Sequence, residues 1–313
     1  MPKLEQSMMS NLFFDKEIYD DRVVVGPSYG EDAAVLKFKD EYLVAHPDPI
    51  SGAVKNIGWL SINISANDIA VTGAEPRWAM PSLQIPEKFE KKEVQRIIED
   101  LYQAADELGV TLIGGHTETV KGIDRPLVTT AMMGVTEKPV LTRGSNSGDK
   151  IVQVNEAAIE GTWILVSDFE DRLLEKGLEK NLIDEVKRWG RDISVVKDAL
   201  KMSENATSMH DPTEGGILQG IYEMAKCSGN DFVIDEEISF RSETIEVSDV
   251  FRLDPKKLIS SGCLLATIPE EKDIELGKVI GHVESGSGQT IFEGDVIEEV
   301  TEDELFRFIS DME

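Results

Sequence analysis

The stretch SYGEDAAVL, residues 28–36, places two adjacent carboxylates between a glycine and a short apolar run. Glu31 and Asp32 repel each other, and a strand gains nothing from two neighbouring like charges. A turn accounts for Gly30 and one of the acids, whereas a metal or phosphate site accounts for both. The remainder of the chain has to decide between these two interpretations.

The composition bounds the kind of protein. A chain of 313 residues with 41% hydrophobic and 29% charged residues is long enough for two globular domains, each with its own core. Its 60 acidic and 32 basic residues give a formal net charge of −28, which disfavours nucleic acid and anionic membranes as partners. An anionic substrate such as ATP therefore needs a divalent cation to approach this surface and stay bound.

Neither a membrane span nor a secretion signal is indicated, since we find no run of about 18 apolar residues and no charged-then-apolar N-terminus. We therefore expect a cytoplasmic protein. The two cysteines, Cys227 and Cys263, have no paired spacing, so neither a disulfide framework nor a zinc site is predicted. Both lie among small or apolar residues, which favours buried structural thiols.

The apolar patterns of the first half predict mixed strands and helices. Residues 32–48 form a predicted hairpin with a turn at Lys39-Asp40. Apolar residues recur at helical spacing on one face of residues 55–73 and of residues 90–109, so each range is a predicted helix that ends near a glycine. Further strands are predicted over residues 77–86, 110–115 and 127–135.

The polar, glycine-bearing segment 141–149 is the best candidate for a linker between two domains. We therefore predict an N-terminal domain over residues 1–145 and a C-terminal domain over residues 146–313. The second begins with the apolar runs KIVQVN and TWILVSD, which are followed by helical segments across 168–201. A helix running to Gly229, strands at 262–269 and 289–294 and a final helix at 302–311 complete an α/β, or α+β layered, fold.

Three acids of the first half, Asp32, Asp48 and Asp68, lie beside turn-forming or small residues where apolar segments begin or end. Hard divalent ions such as Mg²⁺ take oxygen ligands, usually one or two carboxylates together with substrate phosphates. Each acid alone is better explained as a turn or capping residue. As a set, delivered from several segments, the three acids make a metal site about as good an explanation.

The segment GGHTET, residues 114–119, follows a predicted strand. Gly114 and Gly115 allow backbone amides to approach an anion closely, and Thr117 and Glu118 add a donor and a candidate metal ligand. His116 has a simpler interpretation as a hydrogen-bonded loop histidine.

The segment HDPTEGG, residues 210–216, has both a structural and a functional interpretation. A turn at Asp211 and a helix capped by Thr213 explain most of it. They do not explain Gly215 and Gly216, which lower helix propensity where the helix starts. Open amides at a helix N-terminus attract phosphate, so this loop is a candidate phosphate site.

Taken in order and spacing, GEDAAVL, the strand ending in Asp48, NDIAVTGAEPRW, GGHTE and MHDPTEGG resemble the AIR synthase superfamily of ATP-dependent enzymes, over about residues 28–300. Within it, the chain is most similar to the hydrogenase maturation factor that dehydrates a carbamoyl group and to its archaeal relatives. The resemblance implies a mixed-sheet N-terminal domain that pairs with a second copy in a homodimer. It also implies a C-terminal α/β domain that closes over ATP and Mg²⁺.

The resemblance assigns roles to individual positions. It implies nucleotide and magnesium ligation by Asp32, Asp48 and Asp68, with Glu118 as a further metal ligand, and it makes Glu31-Asp32 tolerable because bound magnesium offsets their repulsion. His210 and Asp211 are the implied catalytic residues. The implied nucleotide-binding residues also include Lys55, Asn67, Gly114, Gly115, Thr117, Thr213, Gly215 and Gly216.

The sequence does not identify the acceptor, which we expect to be a small-molecule or protein-borne oxygen acceptor that is activated by phosphoryl transfer. The chain ends FRFISDME, without the terminal cysteine that carries the reacting group in the carbamoyl-dehydrating factors. We therefore expect no covalent adduct on this chain, with a maturation partner protein as one source of the acceptor. The alternatives are a nucleotide-binding accessory protein, or a kinase similar to thiamine-phosphate kinase or selenophosphate synthase.

Overall fold

Two β-sheets with helices packed against them make up residues 17–312, which are the residues that this computed structural model describes. Residues 1–16 and 313, at the ends of the two predicted domains, lie outside the described residues. The segment between the two sheets, residues 137–149, includes a short 3₁₀ turn at Thr142–Gly144. It overlaps the linker predicted over 141–149, and the domain boundary at residue 145 stays a prediction.

The first sheet has the strand order β1-β2-β3-β7-β4-β5, and β6 also pairs with β4. Its strands are β1 (Val23–Val25), β2 (Ala34–Phe38), β3 (Glu41–Ile50), β4 (Glu75–Pro86), β5 (Thr111–Leu112), β6 (His116–Val120) and β7 (Leu127–Thr136). Two helices belong to this half, α1 (Ile57–Ala70) and α2 (Lys91–Leu108). The hairpin predicted over 32–48 is confirmed, since β2 and β3 pair antiparallel around Lys39 and Asp40.

Helix α2 shows the predicted amphipathic pattern. Ile97, Leu101 and Ala105 are buried, and the helix ends at Gly109, whose φ of 71° belongs to the left-handed region that glycine adopts without strain. Helix α1 differs from the prediction of a single apolar face, because almost every residue in it is buried. It packs against the first sheet, helix α2 and the segment 189–202 of the second half.

The segment 114–119 is not the predicted loop. Residues from His116 onward form β6, which runs parallel to β4 and is largely exposed. Gly115 has a φ of 152°, and a Cβ there would lie 2.5 Å from the carbonyl oxygen of Pro81. The glycine therefore allows β6 to approach β4 closely.

The second sheet has the order β14-β13-β10-β12-β8-β11-β9. Its strands are β8 (Lys150–Val154), β9 (Ser208–His210), β10 (Asp231–Ile234), β11 (Leu264–Ile268), β12 (Lys278–Glu284), β13 (Thr290–Phe292) and β14 (Asp295–Ile297). The helices are α3 (Ile159–Asp168), α4 (Glu170–Glu175), α5 (Lys180–Val186), α6 (Val196–Met202), α7 (Gly216–Ser228), α8 (Ser242–Phe251) and α9 (Glu304–Ser310). Short 3₁₀ turns occur at Trp189–Ile193 and Pro255–Lys257.

The apolar run TWILVSD, residues 162–168, lies in helix α3. The helix predicted to run to Gly229 and the final helix are confirmed as α7 and α9. Among the helices of residues 17–312, none has both the length and the apolar character that a membrane crossing requires.

Candidate active site

A cleft of about 500 Å³ lies between the first sheet and the second half of the chain. Loop 28–32, strand β3 and helix α1 contribute from the first half, and the loop after β9 and helix α7 contribute from the second. Its walls are strongly acidic, and no lysine or arginine is among the described residues that line it. The lining residues are Ser28, Tyr29, Gly30, Glu31, Asp32, His46, Pro47, Asp48, Pro49, Asp68, His210, Asp211, Thr213, Glu214, Glu223 and Glu299.

Three side chains at the floor of the cleft can share one cation. Side chains alternate between the two faces of a strand, so His46 and Asp48 of β3 point to the face on which helix α1 packs. Asp68 lies on that helix. One ligand atom from each of the three residues lies within 4.8 Å of the others, and Nε2 of His46 is 3.6 Å from Oδ2 of Asp68.

The electrostatics of this cluster favour a cation. Asp68 is 6% exposed, and its Oδ2 has no hydrogen-bond partner among the described residues. Burial, followed by the charges of Asp48 and Asp211, raises the pKa of Asp68 well above its usual range. A buried carboxylate oxygen without a donor is costly, and a divalent ion removes that cost. The residues present therefore fit a divalent metal.

Asp211 stands on the wall of the cleft next to this cluster. It is 1% exposed, and a hydrogen bond with the side chain of Asn67 offsets only part of the cost of its burial. Burial and then the charge of Asp32 raise the pKa of Asp211. The raised pKa makes the carboxylate of Asp211 a stronger base than an ordinary aspartate.

His210 is locked between two acids. Its Nδ1 lies 2.6 Å from Oδ1 of Asp32, and its Nε2 lies 3.1 Å from Oε2 of Glu223. Burial alone would lower the pKa of His210, but the charge of Asp32 and the contacts with both acids raise it to about 10. The residue is therefore an imidazolium at neutral pH, and it neutralises two buried carboxylates.

The adjacent acids Glu31 and Asp32 are neutralised by different partners. Oε1 of Glu31 pairs with Nη1 of Arg143 at 2.5 Å. Asp32 meets His210 on one oxygen, and its other oxygen accepts a hydrogen bond of 2.9 Å from Oγ1 of Thr142. Protein groups from the linker and from β9 thus offset the repulsion that we expected magnesium to offset. Both oxygens of Asp32 are already engaged.

Several predicted nucleotide-binding residues do not line the cleft. Nζ of Lys55 donates to the carbonyl oxygen of Ser167 at 2.6 Å. The side chain of Asn67 is buried and joins the two halves: Nδ2 donates to the carbonyl oxygen of Ile193, and Oδ1 accepts from the amide of Val195, both at 2.9 Å. Both residues thus connect α1 and the loop before it to the second half of the chain.

The residues of the GGHTET segment are also separated from the acids. Two strands, β7 and β4, lie between β6 and Asp48 in the sheet. Gly114, Gly115, Thr117 and Glu118 therefore cannot join the cluster of Asp48 and Asp68 within one chain.

The loop before α7 differs from the predicted phosphate cradle. Gly215 and Gly216 have φ values of 83° and 68°, so both positions require glycine. The amide of Gly215 donates to Oδ2 of Asp303 at 2.7 Å, so it is occupied by the chain's own carboxylate. Thr213 lines the cleft, but its side chain does not cap the helix; its carbonyl oxygen accepts from the amide of Gly216.

The sequence analysis missed several residues of the cleft, among them His46, Glu214, Glu223 and Glu299. A signal existed for His46, because it lies two residues before Asp48 in a predicted strand and so shares its face. Glu223 had no such signal; only the structure shows that Nε2 of Gln219, one turn earlier in helix α7, donates to its Oε1 at 2.9 Å.

The fold and the cleft define a class: a two-domain α/β protein with an acidic site between its domains. Residues 30–136 match the family model of the AIR synthase related protein, N-terminal domain, and residues 146–291 match that of the C-terminal domain. The chain therefore belongs to the AIR synthase related proteins, as its motifs indicated.

Individual relatives include enzymes. The chain is 28% identical to the carbamoyl dehydratase HypE of Rhizobium leguminosarum bv. viciae, over 78% of this chain and 68% of that protein. It is 25% identical to the thiamine-monophosphate kinase of Pyrococcus horikoshii, over 95% of this chain and 94% of that protein.

Solved structures share the fold. AaThiL complexed with AMPPCP and TMP superposes with a TM-score of 0.75 at 21% identity and covers 89% of this chain and 92% of its own. The HypE–HypF complex gives a TM-score of 0.72 at 21% identity and covers 94% and 98%.

Proposed function

We propose that this protein is an ATP-dependent enzyme that transfers a phosphoryl group from ATP to an oxygen of an amide or carbamoyl-type acceptor. The observation that carries the proposal is the acidic cleft with His46, Asp48 and Asp68 at its floor. A polyphosphate cannot enter a cleft lined by carboxylates without a cation, and the cluster is where a cation fits. Support also comes from the relatives named carbamoyl dehydratase and thiamine-monophosphate kinase and from the AMPPCP complex.

A divalent ion such as Mg²⁺ would be held by Asp48 and Asp68, with His46 beside them. When bound, it neutralises phosphate charge, which is most of what phosphoryl transfer requires of a protein. Within one chain, Asp32 is better suited to fixing His210 than to ligating metal, because both of its oxygens are engaged.

The remaining roles, proton acceptance and positioning, belong to side chains of the protein. Asp211 faces the cleft and accepts the proton that the acceptor loses as its oxygen attacks phosphorus. His210 is a positioning residue, since its two nitrogens are held by Asp32 and Glu223 and its charge fixes the loop that carries Asp211. Positioning and charge neutralisation supply the catalysis.

A turnover assay tests this proposal. The purified protein is incubated with ATP and Mg²⁺ and with single acceptors: a carbamoyl-thiol peptide, thiamine phosphate, or selenide. We expect acceptor-dependent ADP release with the first. Asp211→Asn removes the proton acceptor at constant shape and should lower kcat by at least 10²-fold with little change in ATP affinity. Asp40→Asn, in the exposed turn between β2 and β3, is the matched control. Absence of turnover with every acceptor would refute the proposal.

A kinase acting on thiamine phosphate is the second candidate. It is favoured by one observation: the thiamine-monophosphate kinase of Pyrococcus horikoshii matches nearly the whole chain, whereas the carbamoyl dehydratase matches about three quarters of it. Formation of thiamine diphosphate in the same assay would select this candidate.

The active unit that we propose is a homodimer. The face of the first sheet opposite α1 carries rows of incompletely buried apolar residues; Met80, for example, is 40% exposed and pairs with Ala131 of β7. Strand β6, in the same half of the chain, has largely exposed side chains. A second copy would cover this surface, and it would offer Gly114, Gly115, Thr117 and Glu118 a route to the nucleotide site of the other copy.

A further inference from the structure

One end of the second sheet, formed by β10, β13 and β14, buries its two faces unequally. Phe232 and Ile234 of β10 are buried in the apolar cluster that includes Ile217 and Ile221 of helix α7. Side chains alternate between the two faces of a strand, so Val233, which lies between them, points away from α7. Val233 is only half-buried, and the outer face of this end of the sheet is therefore partly open to solvent.

An apolar row crosses the three strands on this outer face. Val233 of β10 pairs with Ile291 of β13, and Ile291 pairs with Val296 of β14. Directly paired residues share a face of the sheet, so the three side chains are neighbours. Ile291 is half-buried like Val233, and Val296 is 52% exposed. The apolar row is therefore a contiguous apolar surface that water contacts.

Val233 and Ile291 also line a groove of about 380 Å³ at the carboxyl ends of β10 and β13, which run parallel. The carboxyl ends of parallel strands are a common place for ligands to bind. Apolar residues of both strands line the groove together with four acids, and no lysine or arginine is among the described residues that do so. The acids of this acidic groove are Asp235, Glu236, Glu237 and Glu293.

Three of these acids have no cationic partner of their own. Asp235 lies 2.7 Å from Nδ1 of His282, but Glu236, Glu237 and Glu293 form no ion pair with any described residue. Lys278 donates its Nζ to the backbone carbonyl oxygen of Glu237 at 2.9 Å and so ties down the chain there. The carboxylates of the acidic groove are therefore available to a cation from outside.

Glu293 is unusual for the turn that it occupies. Phe292 pairs with Asp295, so Glu293 and Gly294 form a two-residue hairpin turn, with φ values of 53° and 89°. Such turns favour Asn-Gly, because both positions need a positive φ, and a glutamate with a positive φ is uncommon. The turn alone gives no reason for a glutamate, whereas a cationic partner in the acidic groove gives one.

The combination of apolar row and acidic groove selects one kind of occupant. A second copy of this chain would bring the same acids against these, and a nucleic acid or an anionic membrane would be repelled. A metal ion alone would make no use of the apolar row. A peptide segment with an apolar side chain between lysines or arginines uses both features, since its charges complement the acids.

We propose that this surface docks a basic segment of a partner protein, in which an apolar side chain contacts the apolar row and flanking lysines or arginines pair with the acids of the acidic groove. The acidic groove shares no lining residue with the cleft of the candidate active site. The proposal therefore does not rest on the proposed function.

Peptide binding to the purified protein, followed by fluorescence anisotropy, tests the proposal. The probe is the labelled peptide GKKLLKKG. The controls are GKKSSKKG, which lacks the apolar centre, and GEELLEEG, which reverses the charges. We expect the probe to bind at least tenfold more tightly than either control and to weaken as salt rises, because salt screens surface charges. Equal affinity for the probe and GKKSSKKG would mean that net charge alone attracts the peptide, and it would overturn the proposal, as would the absence of probe binding.

Two variants assign the binding to this surface. Glu236→Gln combined with Glu237→Gln should weaken the probe at least fivefold. Asp40→Asn combined with Glu41→Gln removes the same charge from the exposed β2–β3 turn and should change nothing. Val296→Thr replaces an exposed methyl by a hydroxyl at nearly constant shape, and it should weaken the probe several-fold without affecting GKKSSKKG.

Glu293→Asn gives a test with two opposite signs. Asparagine suits the turn better than glutamate, so the midpoint of thermal unfolding should rise. The affinity for the probe should fall several-fold, because one acid of the acidic groove is lost. Probe affinity that is unchanged in Glu293→Asn, in Val296→Thr and in the double variant of Glu236 and Glu237 would refute the assignment.

Discussion

Removal of the buried imidazolium of His210 should be the most destabilising single change in the cleft. Its charge neutralises Asp32 at 2.6 Å and Glu223 at 3.1 Å. His210→Gln keeps a hydrogen-bonding side chain but leaves the two acids buried without their cation. Breaking a buried ion pair by removing one partner typically costs about 3–5 kcal/mol.

The magnitude and its pH dependence follow from the shifted pKa. The pKa of His210 rises from 6.5 to about 10 on folding, and each pKa unit corresponds to about 1.4 kcal/mol. Because the folded-state pKa lies above the unfolded-state value, the contribution is full below pH 6.5 and is lost as the pH rises through 10. Linkage therefore gives a stabilisation on the order of 4 kcal/mol near pH 6 and about 1 kcal/mol near pH 9.

Urea unfolding followed by tryptophan fluorescence, at pH 6 and at pH 9, measures this difference. The raised pKa of Asp68 lowers stability as the pH rises in wild type and variant alike. The pKa of Asp211 is lowered by the charge of His210, so a change at Asp211 is part of the effect of removing His210. His282→Gln is a matched control: His282 lies 2.7 Å from Asp235 and 3.1 Å from Glu284, with its side chain 44% exposed. We expect the control to change stability by at most about 0.5 kcal/mol. A loss for His210→Gln that equals the control, or that does not shrink between pH 6 and pH 9, would refute the reasoning.

Further predictions concern assembly, metal choice and the thiols. Light scattering at micromolar concentration should give twice the 34.7 kDa chain mass, and Met80→Lys should shift it to monomer; a monomeric wild type would contradict the dimer. Because imidazole favours borderline metals such as Co²⁺ over Mg²⁺, Co²⁺ should bind more tightly than Mg²⁺. His46→Thr should remove most of this preference and change the Co²⁺ absorption spectrum; an unchanged spectrum would exclude His46 as a ligand. Burial raises the pKa of both Cys227 and Cys263, which makes both thiols poor nucleophiles. Intact-mass analysis after incubation with ATP, carbamoyl phosphate and a carbamoyl-transferring partner should therefore show no adduct. A stoichiometric adduct on either thiol would restore a self-modified mechanism.

Elements with a regular apolar period were predictable from the sequence. Strand β3 and helix α2 each bury one face, and each shows the period of its secondary structure. The run at 162–168 could not be assigned in this way, because a short, wholly buried segment is apolar in either conformation and α3 buries nearly every residue. Strand β6 was missed because its polar residues are exposed, and only its pairing with β4 makes it a strand.

The residues of the candidate site were likewise predictable only where local sequence carries the signal. Asp48, Asp68 and Asp211 were found because each acid follows or precedes small or turn-forming residues in the sequence. The structure places Asp48 within β3 and Asp68 within α1, and it brings all three to one cleft. Their partners were not visible, because pairings such as Glu31 with Arg143 join residues more than a hundred positions apart. The same limit applies to Gly215, whose amide is taken by Asp303 from near the C-terminus. Local sequence indicates that such an amide is open, and only the fold shows what occupies it.

The central claim is that a divalent cation held by Asp48 and Asp68 allows this acidic cleft to accept ATP. Calorimetry of ATP binding to the same protein, in Mg²⁺ and then in excess chelator, tests it most directly, with Asp68→Asn as the charge-removing variant and Asp40→Asn as the control. We predict binding in Mg²⁺, no measurable binding in chelator, and at least a tenfold loss of Mg²⁺-dependent affinity for Asp68→Asn alone. Equal ATP affinity with and without the cation would contradict the account.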